Sequence, residues 1–86
     1  MDITASTLDE VKALVAETLG IEDRLHSMDA STPLLGALPE LDSMAVVQIA
    51  TEIEARYGFD INDADFTADV FETLGTLAAF VDANRP

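Results

Sequence analysis

Apolar residues recur at helical spacing in the first part of the chain, over residues 8–19. At about 100° per residue, the large aliphatic side chains fall on one side of a helix and acidic residues fall on the other. Ser6 or Thr7 is predicted to cap this helix, and Asp9 and Glu10 would then lie in its first turn, where the helix dipole favours negative charge. The positions predicted to face the core are Leu8, Val11, Leu14, Val15 and Leu19.

A second helical stretch, from Met44 to Tyr57, has the clearest pattern in the chain. Gly58 is predicted to end it, as Gly20 ends the first helix, because glycine readily takes the left-handed conformation that closes a helix. The face predicted to enter the core contains Val46, Ile49, Ala50, Ile53 and Tyr57. The opposite face is neutral and partly apolar, which favours a docking surface over scattered surface residues. That face contains Met44, Ala45, Val47, Gln48, Thr51 and Ala55, with Glu52 and Glu54 beside it.

The remaining segments predict one long connection and two further helical pieces. Residues 21–41 lack a sustained period and are rich in turn formers, so they are predicted to be a loop held to the core by Ile21, Leu25, Leu34, Leu35 and Leu38. A short helical turn is predicted around Asp69 to Glu72, and a last helix is predicted to begin after Thr73 as its cap. The inward face of that last helix would contain Leu74, Leu77, Ala78, Phe80 and Val81.

Together these elements predict an all-α fold. It would be one domain, residues 1–86, built as a small antiparallel four-helix bundle with three longer helices, one short helix and a long loop between the first and second helices. A core of this size leaves only a few kcal/mol of net stability. An enclosed substrate cleft is therefore not expected. The protein is expected to be a monomer.

The charge balance narrows the range of partners. The chain has 17 acidic and 4 basic residues and a net charge of −13, which makes nucleic acid a poor partner. Such a surface attracts basic partner surfaces, although the same charge is also explained by solubility alone. No apolar run is long enough to cross a bilayer, so membrane insertion is not expected and a cytoplasmic location is the default. Cysteine is absent, which excludes disulfides and a thiol nucleophile.

Ser43, at the start of the second helix, is the candidate for chemistry. A catalytic serine needs a base, but the only histidine, His26, lies in the predicted loop, and no G-x-S-x-G pattern surrounds Ser43. The protein is therefore not expected to be an enzyme. Asp42 or Ser43 could simply cap the helix, and a hydroxyl there could also carry a phosphate, which the dipole stabilises. No metal site is expected, because the aspartates over residues 60–65 lack the EF-hand glycine and glutamate.

The segment Leu41-Asp42-Ser43-Met44 resembles the prosthetic-group site of acyl carrier proteins, whose usual signature is Asp-Ser-Leu. The resemblance extends over nearly the whole chain. Its other matching parts are Asp29 with residues 31–34, residues 52–54, residues 57–59, residues 71–74, and Leu77, Ala78, Phe80 and Val81. By this resemblance Ser43 would accept 4'-phosphopantetheine from coenzyme A, with a separate phosphopantetheinyl transferase supplying the base and magnesium. The thiol of the arm would then hold acyl groups as thioesters.

The resemblance also implies roles for the neighbours of Ser43. Asp42 would cap the helix and help to place magnesium during transfer, and Met44 would dock into acyl-loading and acyl-processing enzymes with basic or apolar surfaces. The other docking residues would be Val47, Gln48, Thr51 and Glu54. The acyl chain would be sheltered between helices lined by Val46, Ile49 and Phe71.

Two features depart from the fatty-acid-synthesis members of that family. The second helix is less acidic on its exposed side, and methionine follows the serine. Both favour a specialised free-standing carrier, of a secondary-metabolite, polysaccharide-export or lipid-modifying pathway. Two alternatives stay open: an aminoacyl or peptidyl carrier with the same Ser43 chemistry, and an unmodified helical adaptor that docks through the second helix.

Overall fold

The protein is represented by a computed structural model that describes residues 5–34, 36, 41–62 and 66–84. Three α-helices and one 3-10 helix make up the regular structure of these residues, so the predicted all-α class is confirmed. The elements are α1 (Ala5–Leu19), a 3-10 helix (Glu22–Ser27), α2 (Ser43–Tyr57) and α3 (Leu74–Asn84). None of the helices in the described residues is long and apolar enough to cross a membrane.

The start of α1 differs from the prediction. The helix begins at Ala5, so Ser6 and Thr7 lie inside it rather than at its cap, and its first turn contains no acidic residue. Thr7 is fully buried, and its hydroxyl donates a hydrogen bond to Oδ1 of Asp82 on α3, at 2.7 Å. Because this hydroxyl joins two helices, the polar residue that looked like a cap is part of the core packing.

The end of α1 agrees with the prediction. Gly20 has a φ of 72°, and the N–H of Ile21 donates to the carbonyl oxygen of Ala16 at 2.8 Å. This bond and the left-handed backbone of Gly20 close the helix in the pattern of a glycine cap. Ile21 then enters the core with 3% of its surface exposed. The 3-10 helix follows at once, so this part of the predicted loop is helical. Its residues, Glu22–Ser27, are mostly polar and none is buried, which is why no apolar period marks it in the sequence.

The core is mostly aliphatic and receives side chains from each α-helix and from the connections. The predicted core positions Val11, Leu14, Val15 and Leu34 are buried, whereas Leu8, Leu19 and Leu25 are partly buried at the edge of the core. Small or irregularly placed residues that the pattern did not mark are also buried: Ala16, Met28, Leu41 and Ala45. Leu35 and Leu38, which were predicted to hold the loop, lie outside the described residues.

The buried stripe of α2 is rotated from its predicted position. Ala45, Ile49 and Ile53 are buried, at intervals of one turn, so the placement of Ala45 on the exposed side was wrong. The other predicted core positions, Val46, Ala50 and Tyr57, are half-buried. A small alanine side chain allows close packing here. The rotation brings Val46 and Ala50 to the edge of the core, where they can line a surface groove.

The long connection is fixed to the start of α3 by backbone hydrogen bonds. The N–H of Leu34 donates to the carbonyl of Glu72, the N–H of Leu74 donates to that of Thr32, and the N–H of Gly75 donates to that of Ala30. These three bonds, with an isolated antiparallel bridge between residues 33 and 73, form what we call the loop clip. Its donors and acceptors satisfy backbone groups that would otherwise lose their hydrogen bonds on burial.

The aspartate before the loop clip organises the turn that leads into it. Oδ1 of Asp29 accepts hydrogen bonds from the N–H of Ser31 at 2.9 Å and from its hydroxyl at 2.7 Å. The N–H of Asp29 donates to Oγ1 of Thr32 at 2.7 Å. Because the bonds from Ser31 stabilise the ionised carboxylate, the pKa of Asp29 is lowered from its usual value.

The cap of α3 is confirmed, and the short helical turn predicted before it is present as successive turns. Oγ1 of Thr73 accepts from the N–H of Thr76 at 3.1 Å, and the N–H of Thr73 donates to Oγ1 of Thr76 at 3.0 Å. The residues around Asp69 to Glu72 form successive turns, in which the N–H of Phe71 donates to the carbonyl of Ala68 at 3.1 Å. The carbonyl of Glu72 accepts the hydrogen bond from the N–H of Leu34 in the loop clip, so the turns lead directly into α3.

Two side-chain bonds define the directions of the helices. The hydroxyl of Tyr57, at the end of α2, donates to Oε1 of Glu10 near the start of α1, at 2.9 Å. The bond from Thr7 to Asp82 likewise joins the start of α1 to the end of α3. Both α2 and α3 therefore run opposite to α1, and the start of α2 lies at the other end of the bundle.

Candidate functional site

Asp42 and Ser43 begin α2, and the structure distinguishes their roles. Asp42 is the N-cap: its backbone is extended, and Oδ1 accepts a hydrogen bond from the N–H of Ala45 at 2.8 Å. Ser43 is the first residue of the helix and is exposed. Within the described residues its hydroxyl has no hydrogen-bond partner. The cap is therefore Asp42, and the Ser43 hydroxyl is left available for chemistry.

The start of α2 suits a phosphate ester on that hydroxyl. The N–H of Val46 donates to the carbonyl of Asp42 at 3.0 Å and begins the helical pattern, so the N–H groups of Ser43 and Met44 precede it. No partner for these two N–H groups occurs among the residues that the structure describes. Free N–H groups and the positive end of the helix dipole stabilise an anion at this position.

In the part of the chain that the structure describes, no hydrogen bond joins the Ser43 hydroxyl to a base. His26 lies exposed in the 3-10 helix, at residues 22–27, and none of the hydrogen bonds of the described residues links it to Ser43. A hydroxyl without a base is a weak nucleophile at neutral pH. The residues around Ser43 thus fit a group that is added by another protein, rather than a reaction that this chain performs alone.

The predicted docking residues are exposed along one side of α2, with one exception. Met44 and Val47 expose 68% and 61% of their surface, and Gln48 and Thr51 are exposed beside them. Glu54 is half-buried, and its Oε2 accepts a hydrogen bond from the N–H of Ile61 at 2.8 Å. Glu54 therefore also holds the connection after α2. We call Met44, Val47, Gln48 and Thr51 the docking face.

A groove of about 370 Å³ opens beside the docking face. It is lined by Val46, Val47, Ala50, Thr51, Glu54, Ile61 and Phe66, and we call it the α2 groove. Of the three residues expected to shelter an acyl chain, Val46 lines the groove, whereas Ile49 and Phe71 are buried in the core. Ile61 and Phe66 were not expected here. They follow α2 in a segment without helical period, so only the folded structure brings them to the groove.

Comparison with known proteins gives the class to which this arrangement belongs. Residues 9–81 match the family model described as phosphopantetheine attachment site. The chain is also similar to the holo acyl carrier protein of Nitrosomonas europaea, solved by NMR in solution. The two are 43% identical, with a TM-score of 0.82, over 88% of this chain and 92% of the other.

The protein therefore belongs to the acyl carrier protein family, within the class of domains that carry a phosphopantetheine attachment site. Its prosthetic group is 4'-phosphopantetheine, and it is a carrier rather than an enzyme. Carriers of this kind interact with phosphopantetheinyl transferases and with enzymes that handle acyl groups. The all-α bundle and the family predicted from the sequence are both confirmed.

Proposed function

We propose that Ser43 carries the 4'-phosphopantetheine arm and that the protein presents acyl thioesters to enzymes of a specialised biosynthetic pathway. The observation that carries this proposal is the exposed Ser43 hydroxyl, which has no hydrogen-bond partner among the described residues, at the start of α2. Asp42 caps the helix, so the serine is not needed for that purpose. When bound, the arm supplies a thiol to a chain that has no cysteine.

The transfer step requires the residues of two proteins. The transferase takes the proton of the Ser43 hydroxyl, and the serine oxygen forms a bond to the phosphorus that bears the pantetheine part of coenzyme A. The pyrophosphate P–O bond breaks, and the nucleotide part leaves with the second phosphate. Free N–H groups at the start of α2 stabilise the phosphodiester formed. The carboxylate of Asp42, the residue before Ser43, would help to place the magnesium ion of the transferase.

Partner enzymes are proposed to bind the docking face. Met44 and Val47 provide an apolar centre with 68% and 61% of their surface exposed. Exposed Glu52 adds negative charge near that centre, so the matching surface of a partner would be apolar with a basic edge. This surface differs from a strongly acidic second helix and supports a specialised pathway rather than general fatty-acid synthesis. The proposed working form is a cytoplasmic monomer, for which the lack of cysteine suits a reducing compartment.

The first test is the mass of the protein after reaction with coenzyme A, magnesium and a phosphopantetheinyl transferase of broad specificity. The wild type should gain the mass of one arm, and Ser43→Ala should gain none. Ser6→Ala provides a matched control, because Ser6 is an exposed serine within α1 and should not affect the gain. Modification of the Ser43→Ala protein, or no modification of the wild type by several transferases, would contradict the proposal.

The exposed apolar centre of α2 also permits an unmodified adaptor, so the second test separates binding from attachment. Partner enzymes purified with the carrier should bind the wild type and lose affinity for Met44→Asp, since a carboxylate replaces an apolar contact. A carrier should lose its acyl-transfer function in Ser43→Ala, whereas an adaptor should retain its full function in that variant. An aminoacyl or peptidyl carrier would differ only in the loading enzyme, and assays with amino-acid and acyl adenylating enzymes distinguish the two.

A further inference from the structure

Phe66 forms part of the wall of the α2 groove, and it also contacts a residue of a second groove. The second groove has a volume of about 290 Å³ and lies along α3. It is lined by Asp69, Val70, Thr76, Ala79, Phe80 and Ala83, and we call it the α3 groove. The rings of Phe66 and Phe80 are 5.5 Å apart between centroids. Phe66 and Phe80 therefore stand between the two grooves.

The position of the Phe66 ring is supported by a fixed neighbour. Phe71 is 2% exposed, and its ring meets that of Phe66 edge to face with centroids 4.7 Å apart. Such contacts between aromatic rings are favourable beyond the area that they bury. Phe66 is thus held from one side by the core through Phe71 and from another by Phe80 on α3. These two contacts hold its ring in the groove wall.

The α2 groove is within reach of an arm on Ser43. Val47, which lines the groove, lies one turn after Ser43, or roughly 6 Å along the helix axis. Glu54 marks the far end of the groove on α2, roughly 16 Å from Ser43 along the same axis. A chain that leaves Ser43 along α2 therefore passes over the groove, which argues for the protein's own cargo as its occupant.

The volume of the α2 groove limits what it can hold. An engineered apolar cavity of about 150 Å³ binds one benzene molecule. The groove of about 370 Å³ has room for roughly two such groups. A longer apolar chain would have to leave the groove or cross the position of Phe66 into the α3 groove. The walls of the α3 groove are mostly apolar side chains, including Val70, Ala79 and Phe80.

We propose that Phe66 sets the upper length of the acyl chain that the protein shelters, by closing the α2 groove off from the α3 groove. This inference rests on the proposed function, in which the chain is attached through Ser43. Chains that fit the α2 groove are withdrawn from water, and further methylene groups stay exposed. Replacing Phe66 by a small residue removes one of the two rings between the grooves and lets longer chains be withdrawn past it.

The test measures how well the carrier protects its thioester as the chain grows. The holo protein is loaded with saturated acyl groups in steps of two carbons, and the rate of thioester cleavage by hydroxylamine is followed by mass. Each additional buried methylene should slow cleavage by up to about fourfold, the ratio expected from its transfer free energy. In the wild type the slowing should reach a plateau at an intermediate chain length. In Phe66→Ala the slowing should continue to longer chains.

Two further variants make the result specific to Phe66. Phe59→Ala is the matched control, because Phe59 also contacts Phe80, with centroids 6.5 Å apart, but lines neither groove. It should leave the plateau at the wild-type length. Phe66→Leu keeps an apolar side chain at the groove and should move the plateau less than Phe66→Ala does. If the alanine variant does not fold, the leucine variant provides the test. The melting temperature of each acylated form gives a second readout, since a sheltered chain stabilises the fold.

The outcomes separate this inference from the proposal on which it rests. If no arm is added to the wild type, the proposed attachment at Ser43 fails. If the arm is added and loaded but the wild type shows no plateau, Phe66 sets no limit. A plateau that stays at the same length in Phe66→Ala and Phe66→Leu also overturns the inference. A plateau that moves in these variants and stays in Phe59→Ala supports it.

Discussion

Asp42 and Ser43 are adjacent, yet they have different physical tasks. The Asp42 carboxylate accepts a hydrogen bond from the N–H of Ala45 at 2.8 Å and so satisfies that donor. Without this cap the donor would face water or remain unsatisfied at the start of the helix. The next residue is then free to expose its hydroxyl on a helix that is already fixed. A modified serine on a well-capped helix keeps its arm at a defined position for incoming enzymes.

Substitutions of Asp42 should separate its cap from its charge. Asp42→Ala should lower the free energy of unfolding by about 1 kcal/mol, since the cap is lost. Asp42→Asn should lower the free energy of unfolding far less, because asparagine caps helices about as well as aspartate. Modification by the transferase should nevertheless be slower in Asp42→Asn, which lacks the carboxylate for magnesium. Urea unfolding gives the stability, and a time course of mass gives the rate. A wild-type rate in the asparagine variant would rule out the role in magnesium placement.

Individual residues also show where sequence reasoning succeeds. Ser43 was found because a residue pattern and its flanks are local and need no knowledge of distant packing. The sequence favours a cap role for Thr7 because its partner, Asp82, lies 75 positions away in the sequence. Ala45 was placed on the exposed side because the helical count marks large side chains well and small ones poorly. Contacts between distant segments, and close packing of small residues, are formed only in the fold.

Among the elements, the loop clip connects the loop before the site to the start of α3. Its hydrogen bonds place Ala30 so close to α3 that a Cβ on Gly75 would lie 2.7 Å from the carbonyl oxygen of Ala30. Gly75 also donates its N–H to that oxygen, at 2.8 Å. The approach of loop and helix thus depends on the missing side chain. The sequence offered no sign of this, because a glycine near the start of a helix has no unusual pattern.

Gly75→Ala should destabilise the protein, although alanine is normally better than glycine in a helix by about 1 kcal/mol. The added Cβ meets a backbone atom that cannot rotate away, so the loop must shift, at a cost of about 1–3 kcal/mol. Urea unfolding measures the change. Ala30→Gly in the same background should not restore stability, because the nearest contact is with the backbone oxygen. A Gly75→Ala protein that is more stable than the wild type would refute the close approach.

At the level of the whole molecule, excess negative charge opposes a compact fold. The net charge of −13 lies on a chain of 86 residues, with acidic side chains exposed on α1, the 3-10 helix and α2. Like charges at this density repel one another through water, and dissolved ions screen them over about 10 Å at 0.1 M salt. The charge that attracts basic partners thus reduces the stability of the free protein.

Added sodium chloride should therefore raise the melting temperature between low and moderate ionic strength. Each kcal/mol of repulsion that is screened should raise it by about 4–8 °C in a domain of this size. Circular dichroism at a helical wavelength gives the transition. A variant with Glu17→Gln and Glu52→Gln provides the control, since both side chains are exposed and the variant should respond less to salt. An unchanged melting temperature in the wild type would refute the repulsion.

The fold as a whole was largely predictable, because α1, α2 and α3 each have an apolar face that needs a partner. The bounds of these helices were predicted best where a cap residue marks them. Gly20 and Gly58 follow the last residues of α1 and α2, and Thr73 precedes the first residue of α3. The 3-10 helix was missed because it buries none of its residues and so leaves no apolar period. The two grooves beside Phe66 were also beyond prediction. They depend on how the connection after α2 returns to α3, which side-chain periodicity does not describe.

The bond between Thr7 and Asp82 has a consequence for how the carrier can be joined to other proteins. Oγ1 of Thr7 and Oδ1 of Asp82 lie 2.7 Å apart at one end of the bundle, whereas Ser43 begins α2 at the opposite end. A helix of 15 residues separates the two ends by roughly 22 Å. A fusion partner, surface or tether attached beyond Thr7 or Asp82 would leave the swing of the arm unobstructed. Because Thr7 and Asp82 are in contact, connections made beyond these two residues would both begin at the same end of the bundle. The domain could therefore be inserted into a loop of a larger enzyme.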